Sequence, residues 1–328
     1  MSEYSSIDSL SVESNRLSAI KPFSGNQKIT ADRIETHARS VLDQVNIDKL
    51  RQNLTSLSKF HTRHSKSPLL NDASDWIMNQ FRESGYKNSF YHSFKSTIDG
   101  KEFSLRNIIC NKKGFDKKLI IICAHYDCIM EREGDSNSRA PGANDNASGV
   151  SAIIEIARVL ANENLQHSLQ FVLFSGEEQG LLGSKSYARY IENNKMDLYR
   201  PINLDMIGYP FFADNTIIIE RDNNMDLNHN QVRENDLKSI VFGEVMKDLA
   251  SEVNLKFHLD SIYDSDYEPF EASGHVVIGA YDGSADPKKN PHYHSSSDLP
   301  EFINWNYLTA VTKLVLATVL KIDPINSH

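Results

Sequence analysis

Apolar positions along the chain change period repeatedly, and each change marks an element. Ile34, Ala38, Val41 and Leu42, then Ile47, Leu50, Leu54 and Leu57, recur at the spacing of two amphipathic helices within residues 31–60. Spacing alone leaves open whether they face the core or form an accessory extension. Asp72 to Glu83 repeats the pattern with Ala73, Ile77 and Phe81, and Gly85 ends it. Residues 89–98 and 103–110 read as strands, and Asp99-Gly100 between them is a hairpin signal. Leu119 to Ala124 is unbrokenly apolar, as in a strand buried on both faces of a parallel sheet. A polar loop follows from Ile129 to Pro141. Asn146 to Ala161 then carries Val150, Ile153, Ile154, Ala157 and Leu160 at helical spacing. A second buried-strand run, Leu169 to Phe174, hands over through Ser175-Gly176-Glu177-Glu178 to a helical stretch from Leu181 to Ile191. Short strands are predicted at 201–207, 216–220 and 275–281. Helices are predicted around Leu237, Val241, Val245 and Leu249, and around Leu308, Val311, Val315 and Val319. The polar stretch Asp222 to Asn235 reads as an exposed connection. Strands alternating with helices predict a single α/β domain over residues 31–328. It has three layers, α/β/α, with a mixed, mainly parallel central sheet. Residues 1–30, rich in Ser and Asn and without period, read as a mobile tail.

Composition narrows the partners. A net charge of −9 without a long basic run argues against nucleic acid. No stretch approaches the roughly 20 apolar residues that span a bilayer, so no membrane partner is expected. The first residues carry neither a basic start nor an apolar core, so no secretory signal is read and a cytoplasmic location is expected. Cys110, Cys123 and Cys128 form no Cys-x-x-Cys pair, and free thiols are expected. Cys110 and Cys123 lie in apolar runs, where cysteine acts as a small buried hydrophobe.

Acidic and histidine residues gather at the ends of these elements. His125 closes the run Leu119 to Ala124. Asp145 stands just ahead of a helix, Glu177 and Glu178 follow a strand, Asp205 ends another, and His294 follows the strand 275–281. Each alone fits a helix cap or a satisfied polar group. Strand ends of one parallel sheet converge, however, so all of them can meet. Two imidazoles and three carboxylates suit a pair of borderline divalent ions such as Zn²⁺, if one carboxylate bridges. One carboxylate of the Glu177-Glu178 pair then remains free to move protons.

The segments Ala124-His125-Tyr126-Asp127, Gly142 to Gly149, Gly176-Glu177-Glu178-Gln179-Gly180, Asn203-Leu204-Asp205-Met206 and Tyr293-His294 resemble the motif series of the M28 family of co-catalytic zinc aminopeptidases, in order and in interval. The resemblance covers roughly residues 45–325 and implies the zinc exopeptidase fold and two Zn²⁺ per chain. By it, His125 and Asp205 would bind one zinc, Glu178 and His294 the other, and Asp145 would bridge them. Glu177 would be the general base, and Asp127 would orient the His125 ring. Tyr267 is a candidate donor to the tetrahedral intermediate. Met206, Phe270 and Tyr293 adjoin motif residues and could line an apolar pocket for the first side chain of a peptide with a free N-terminus. Asn144 stands where many members have Asp, and Tyr267 where many have His. The alternatives are a glutaminyl cyclase, which shares the fold and makes pyroglutamate with a single zinc, and a non-catalytic binding domain on the same scaffold.

Overall fold

The computed structural model describes residues 36–130, 136–223 and 233–323. The predicted tail lies outside these residues, as does part of the loop from Ile129 to Pro141. Helices α1 (Thr36–Leu42) and α2 (Ile47–Leu57) come first, and Asn46 caps α2 by accepting the N–H groups of Asp48 and Lys49. Helix α3 (Leu69–Glu83) leads into the hairpin of β1 (Phe90–Ile98) and β2 (Lys101–Lys112). Asp99 and Gly100 both have positive φ, 50° and 74°, which a two-residue type I′ turn requires. There follow β3 (Leu119–His125), α4 (Ala147–Leu160), β4 (Ser168–Phe174), α5 (Leu182–Asn193) and β5 (Leu198–Asp205). The chain then forms β6 (Thr216–Arg221), α6 (Arg233–Ala250), β7 (Lys256–Ser261), α7 (Glu268–Ala272), β8 (Ile278–Tyr281) and α8 (Trp305–Ile322).

The strands of the described residues make one sheet in the order β1-β2-β4-β3-β5-β8-β6-β7. Strands β4, β3, β5 and β8 run parallel, while β2 and β6 join that block antiparallel. Side chains along a strand alternate between faces. Ile120, Ile122 and Ala124 accordingly enter one core cluster with Val150, Ile153, Leu308 and Val311. Leu119, Ile121 and Cys123 enter another with Tyr187, Ile191 and Phe270. Burial on both faces is why β3 is apolar at every position but its last. The first cluster also holds Val41, Leu42, Leu50, Leu54 and Leu57, so the leading helices belong to the main core. Truncating Leu54 to alanine there should cost roughly 2–5 kcal/mol.

The chain passes from β3 to β4 on one side and comes back to β5 on the other. Strand β3 therefore sits where the order reverses, and the crevice beyond its carboxyl end is where open α/β sheets bind ligands. Two predictions need correction. Strand β7 was not foreseen, because as an edge strand it leaves Lys256, Phe257 and His258 in solvent and shows no buried alternation. The stretch Asp222 to Asn235 is not exposed at its ends: both residues are buried. The N–H of Asp222 donates to Ser239 Oγ, and the Asn235 amide donates to the carbonyl of His275. Asp222, Asp236 and Glu271 come together there as a buried carboxylate group.

Candidate metal centre

His125 and Asp205 are the last residues of β3 and β5. They are 80 residues apart in sequence, yet His125 Nε2 lies 3.2 Å from Asp205 Oδ1. Asp145, just before α4, places Oδ1 3.3 Å from the same Nε2 and Oδ2 3.0 Å from His294 Nε2. Glu178 Oε2 is 3.1 Å from His294 Nε2. Two groups of three result, His125–Asp145–Asp205 and Asp145–Glu178–His294, each with its ligand atoms within 4.8 Å of one another. Asp145 belongs to both and turns one oxygen to each. Glu177 joins His125 and Glu178 in a third, overlapping group.

Buried polar side chains fix these positions. Asn146, not Asp145, caps α4: its Oδ1 accepts the N–H groups of Gly149 and Met206, and its Nδ2 donates to the carbonyl of Leu204. The start of α4 is thereby tied to the end of β5, beside Asp205. A Cβ at position 149 would stand 2.6 Å from Asn146 Oδ1 and 2.8 Å from the Leu204 carbonyl oxygen, so that contact needs glycine. Ser265 Oγ donates to Asp205 Oδ2 at 2.7 Å. The Asp127 carboxylate accepts the N–H groups of Glu177 and Glu178, both at 3.3 Å, and lies 3.8 Å from His125 Nδ1. It is the backbone carbonyl of Asp127, at 3.2 Å, that faces His125 Nδ1. A carbonyl can only accept, so Nδ1 carries a hydrogen, and Nε2 is the nitrogen that faces the cluster. Met206 and His294 adopt left-handed backbone, φ 53° and 48°, at the edge of the cluster. Non-glycine residues in that region gather at functional sites.

Crowded carboxylates govern the electrostatics. Burial alone would lower the His125 pKa, but Asp205 and Glu177 outweigh it and push it well above the usual value. His294 is pushed up to about 12: burial opposes, and Glu178 and Asp145 prevail. Burial, then the Asp145 charge, raises Glu178 to about 7. Burial also raises Glu177 well above the carboxylate range, with Asp205 and Glu178 adding and His125 opposing. Asp145 is held below its usual range despite burial, by hydrogen bonds from His125 and His294. A cation at either group of three would take over the work of those imidazole protons and keep the carboxylates ionised. The donor set of imidazole nitrogens and carboxylate oxygens suits zinc. Glu178 Oε1 is buried without a hydrogen-bond partner, as fits an oxygen facing a metal position.

Of the other predicted residues, Tyr267 and Phe270 lie away from the cluster and Met206 and Tyr293 beside it. Tyr267 is fully buried, and its hydroxyl bonds to the backbone N–H and carbonyl of Tyr263 and to Glu220, not to the cluster. Phe270 is a core residue, its ring centroid 6.0 Å from that of Phe174. Met206 is buried beside Asp205, and the half-buried Tyr293 ring stacks on His294 at 3.8 Å. Sequence reasoning passed over Asn146, Ser265, Asp298 and Arg63. The first three stand in or beside the motifs, but nothing around Arg63 signals its place.

Several known proteins are similar to this chain in sequence or in fold. A probable zinc metalloprotease of Pyrenophora tritici-repentis is 24% identical over 330 residues, covering 86% of this chain and 75% of the relative. A probable leucine aminopeptidase of Trichophyton verrucosum is 25% identical over 284 residues, covering 84% and 73%. Among solved structures, the LapA aminopeptidase of Legionella pneumophila superimposes with a TM-score of 0.73 at 20% identity, covering 91% of this chain and 78% of that one. A glutaminyl cyclase of Porphyromonas gingivalis gives 0.71 at 20% identity, covering 85% and 99%. Residues 107–319 match the profile of Peptidase family M28. That span holds every residue of the cluster and more than half of the sequence, and so the chain belongs to peptidase family M28.

Proposed function

We propose that this chain releases N-terminal residues from peptides, with two zinc ions held between the ends of the parallel strands. His125 and Asp205 would hold one ion, Glu178 and His294 the other, and Asp145 would bridge. The observation that carries this reading is that the two oxygens of Asp145 face different imidazoles, at 3.3 and 3.0 Å. When bound, zinc supplies Lewis acidity to the scissile carbonyl and a lowered pKa to the attacking water. Glu177 takes the proton of that water and returns it to the leaving amine as the C–N bond breaks. Burial raises its pKa above the usual carboxylate value, which favours its holding the proton between the two halves of the exchange. Asp127 keeps Glu177 in place through the backbone N–H. The surplus of carboxylates suits a substrate α-amine, and Met206 and Tyr293 flank the cluster where an apolar first side chain would lie.

A cyclase shares the fold but uses a single zinc. The full donor set on the His125 side supports the peptidase. Zinc analysis together with a panel of aminoacyl anilides, N-acetylated controls and an N-terminal glutaminyl peptide tests this. Hydrolysis of free, apolar N-termini and refusal of acetylated ones is expected. Pyroglutamate formation without hydrolysis would replace this reading with the cyclase, and no stoichiometric zinc would leave only a binding domain. A strong preference for charged first residues would remove the apolar pocket alone.

A further inference from the structure

The bridging role given to Asp145 demands that a loop residue hold each carboxylate oxygen in a set direction. Residues 141–145 supply the backbone for this, and two buried, oppositely charged side chains grip it. Arg63 is fully buried. Its Nη1 donates to the carbonyl of Pro141 at 2.6 Å and its Nη2 to that of Gly142 at 2.9 Å. Its Nε and Nη1 also bond the carbonyls of Tyr126, one residue past His125, and Leu57 in α2. From the other side, the Asp298 carboxylate accepts the N–H of Asn144 at 2.9 and 3.1 Å and that of Asp145 at 3.0 Å. Its own backbone carbonyl accepts the N–H of Ala143 at 3.2 Å.

Two carbonyls and three N–H groups in five consecutive residues are thus bonded by one cation and one acidic residue. A Cβ at position 142 would lie 2.3 Å from the Asp145 carbonyl oxygen, 2.6 Å from Cys128 Cβ and 2.7 Å from Arg63 Nη2, and Gly142 has φ +52°, so the gripped turn itself requires glycine. Charges are buried at a cost unless each is closely bonded, and here both are bonded to the loop itself. Asp298 also lies four residues past His294, so the segment that carries one imidazole orients the carboxylate facing it.

We propose that Arg63 and Asp298 are positioning residues that set Asp145 between the two imidazoles by gripping residues 141–145 from opposite sides. This deepens the proposed function and rests on the bridging role of Asp145. The test compares the full chain with Asp298→Asn, Arg63→Lys and Glu155→Gln. The last removes a buried carboxylate of α4 that holds Arg158 and the N–H of Asn46, and serves as the purely structural control. Two quantities are measured: amide exchange at residues 143–145 in metal-free protein, and zinc affinity by competition with a chromophoric chelator. Asp298→Asn should lose protection at residues 144 and 145 and bind zinc roughly 10–100-fold more weakly, the usual effect of removing an outer-shell partner. Arg63→Lys should shift both in the same direction, and Glu155→Gln should shift neither. Wild-type exchange, or zinc affinity within about threefold of wild type, in folded Asp298→Asn overturns the proposal. If that variant does not fold, Arg63→Lys decides on the same two readings. A wild-type chain that takes up no zinc would defeat the proposed function, while the exchange measurement still decides whether the grip exists.

Discussion

His125 Nε2 stands 3.2 Å from Asp205 Oδ1 because their strands are in register: Cys123 pairs with Asn203 in the parallel ladder, and each site residue lies two further along. Backbone pairing of β3 with β5 assembles this half of the centre. Chelation should therefore abolish activity and lower the melting temperature while leaving the far-ultraviolet dichroism intact, since a ligand that binds only the native state adds stability. Zinc or cobalt should restore both, with about two zinc per chain in the active protein. Full activity in metal-free protein sinks the metal mechanism.

The adjacent glutamates should part company under mutation. Glu178 Oε2 faces His294 at 3.1 Å, whereas Glu177 is the proposed base. Glu177→Gln keeps shape but cannot accept a proton, and a loss of about 10²–10⁴-fold in kcat is expected with zinc retained. KM should change little, because the residue acts in the transition state. Glu178→Gln should lose zinc and activity together. The reverse pattern in a zinc assay would exchange the two roles.

Cys110, Cys123 and Cys128 are free and buried. Burial pushes the Cys110 thiol up to about 12 and the Cys128 thiol to about 11. A pKa raised this far keeps both groups protonated as pH climbs from 7 to 9, while an exposed thiol near 8.5 becomes reactive. A thiol reagent should leave the native protein untouched across that range and find three groups after denaturation without reductant. Rapid native labelling at pH 7 contradicts this account.

How much of the site could be read beforehand follows from what fixes each residue. His125, Asp205 and the glutamates close apolar runs, so strand ends announced them. The unbroken apolar run Leu119 to Cys123, buried on both faces of the sheet, made the parallel core equally plain. Asp127 lies beside His125, but which of its oxygens meets the ring depends on backbone direction, which spacing does not encode. The Tyr267 hydroxyl turns to the backbone of Tyr263 and not to the cluster, a direction that spacing likewise does not encode. Arg63 was invisible, since its partners are backbone carbonyls, which carry no residue identity.

Asn144 is held on both sides by buried polar partners. Its Oδ1 accepts the N–H of Gly208 at 2.9 Å, and its Nδ2 donates to Asp282 Oδ2 at 3.0 Å and to Ser284 Oγ at 3.1 Å. Asp282 also accepts the N–H groups of Tyr209 and Ser284, and burial pushes its pKa up to about 7. Asn144→Asp would set acceptor against acceptor at that contact. Losing a hydrogen bond to a buried, charged acceptor costs about 1.5–3 kcal/mol, and denaturant unfolding at pH 7 should show it. Two carboxylates so close would share one proton, so their native pKa rises above the unfolded value. The native state then binds more protons than the unfolded one, and the penalty should grow as pH rises from about 4 to neutrality and shrink as it falls. Adding Asp282→Asn returns a donor to the contact and should recover most of the loss. A double-mutant cycle measures that coupling directly. A single Asn144→Asp variant as stable as wild type at pH 7 would show that the amide is incidental.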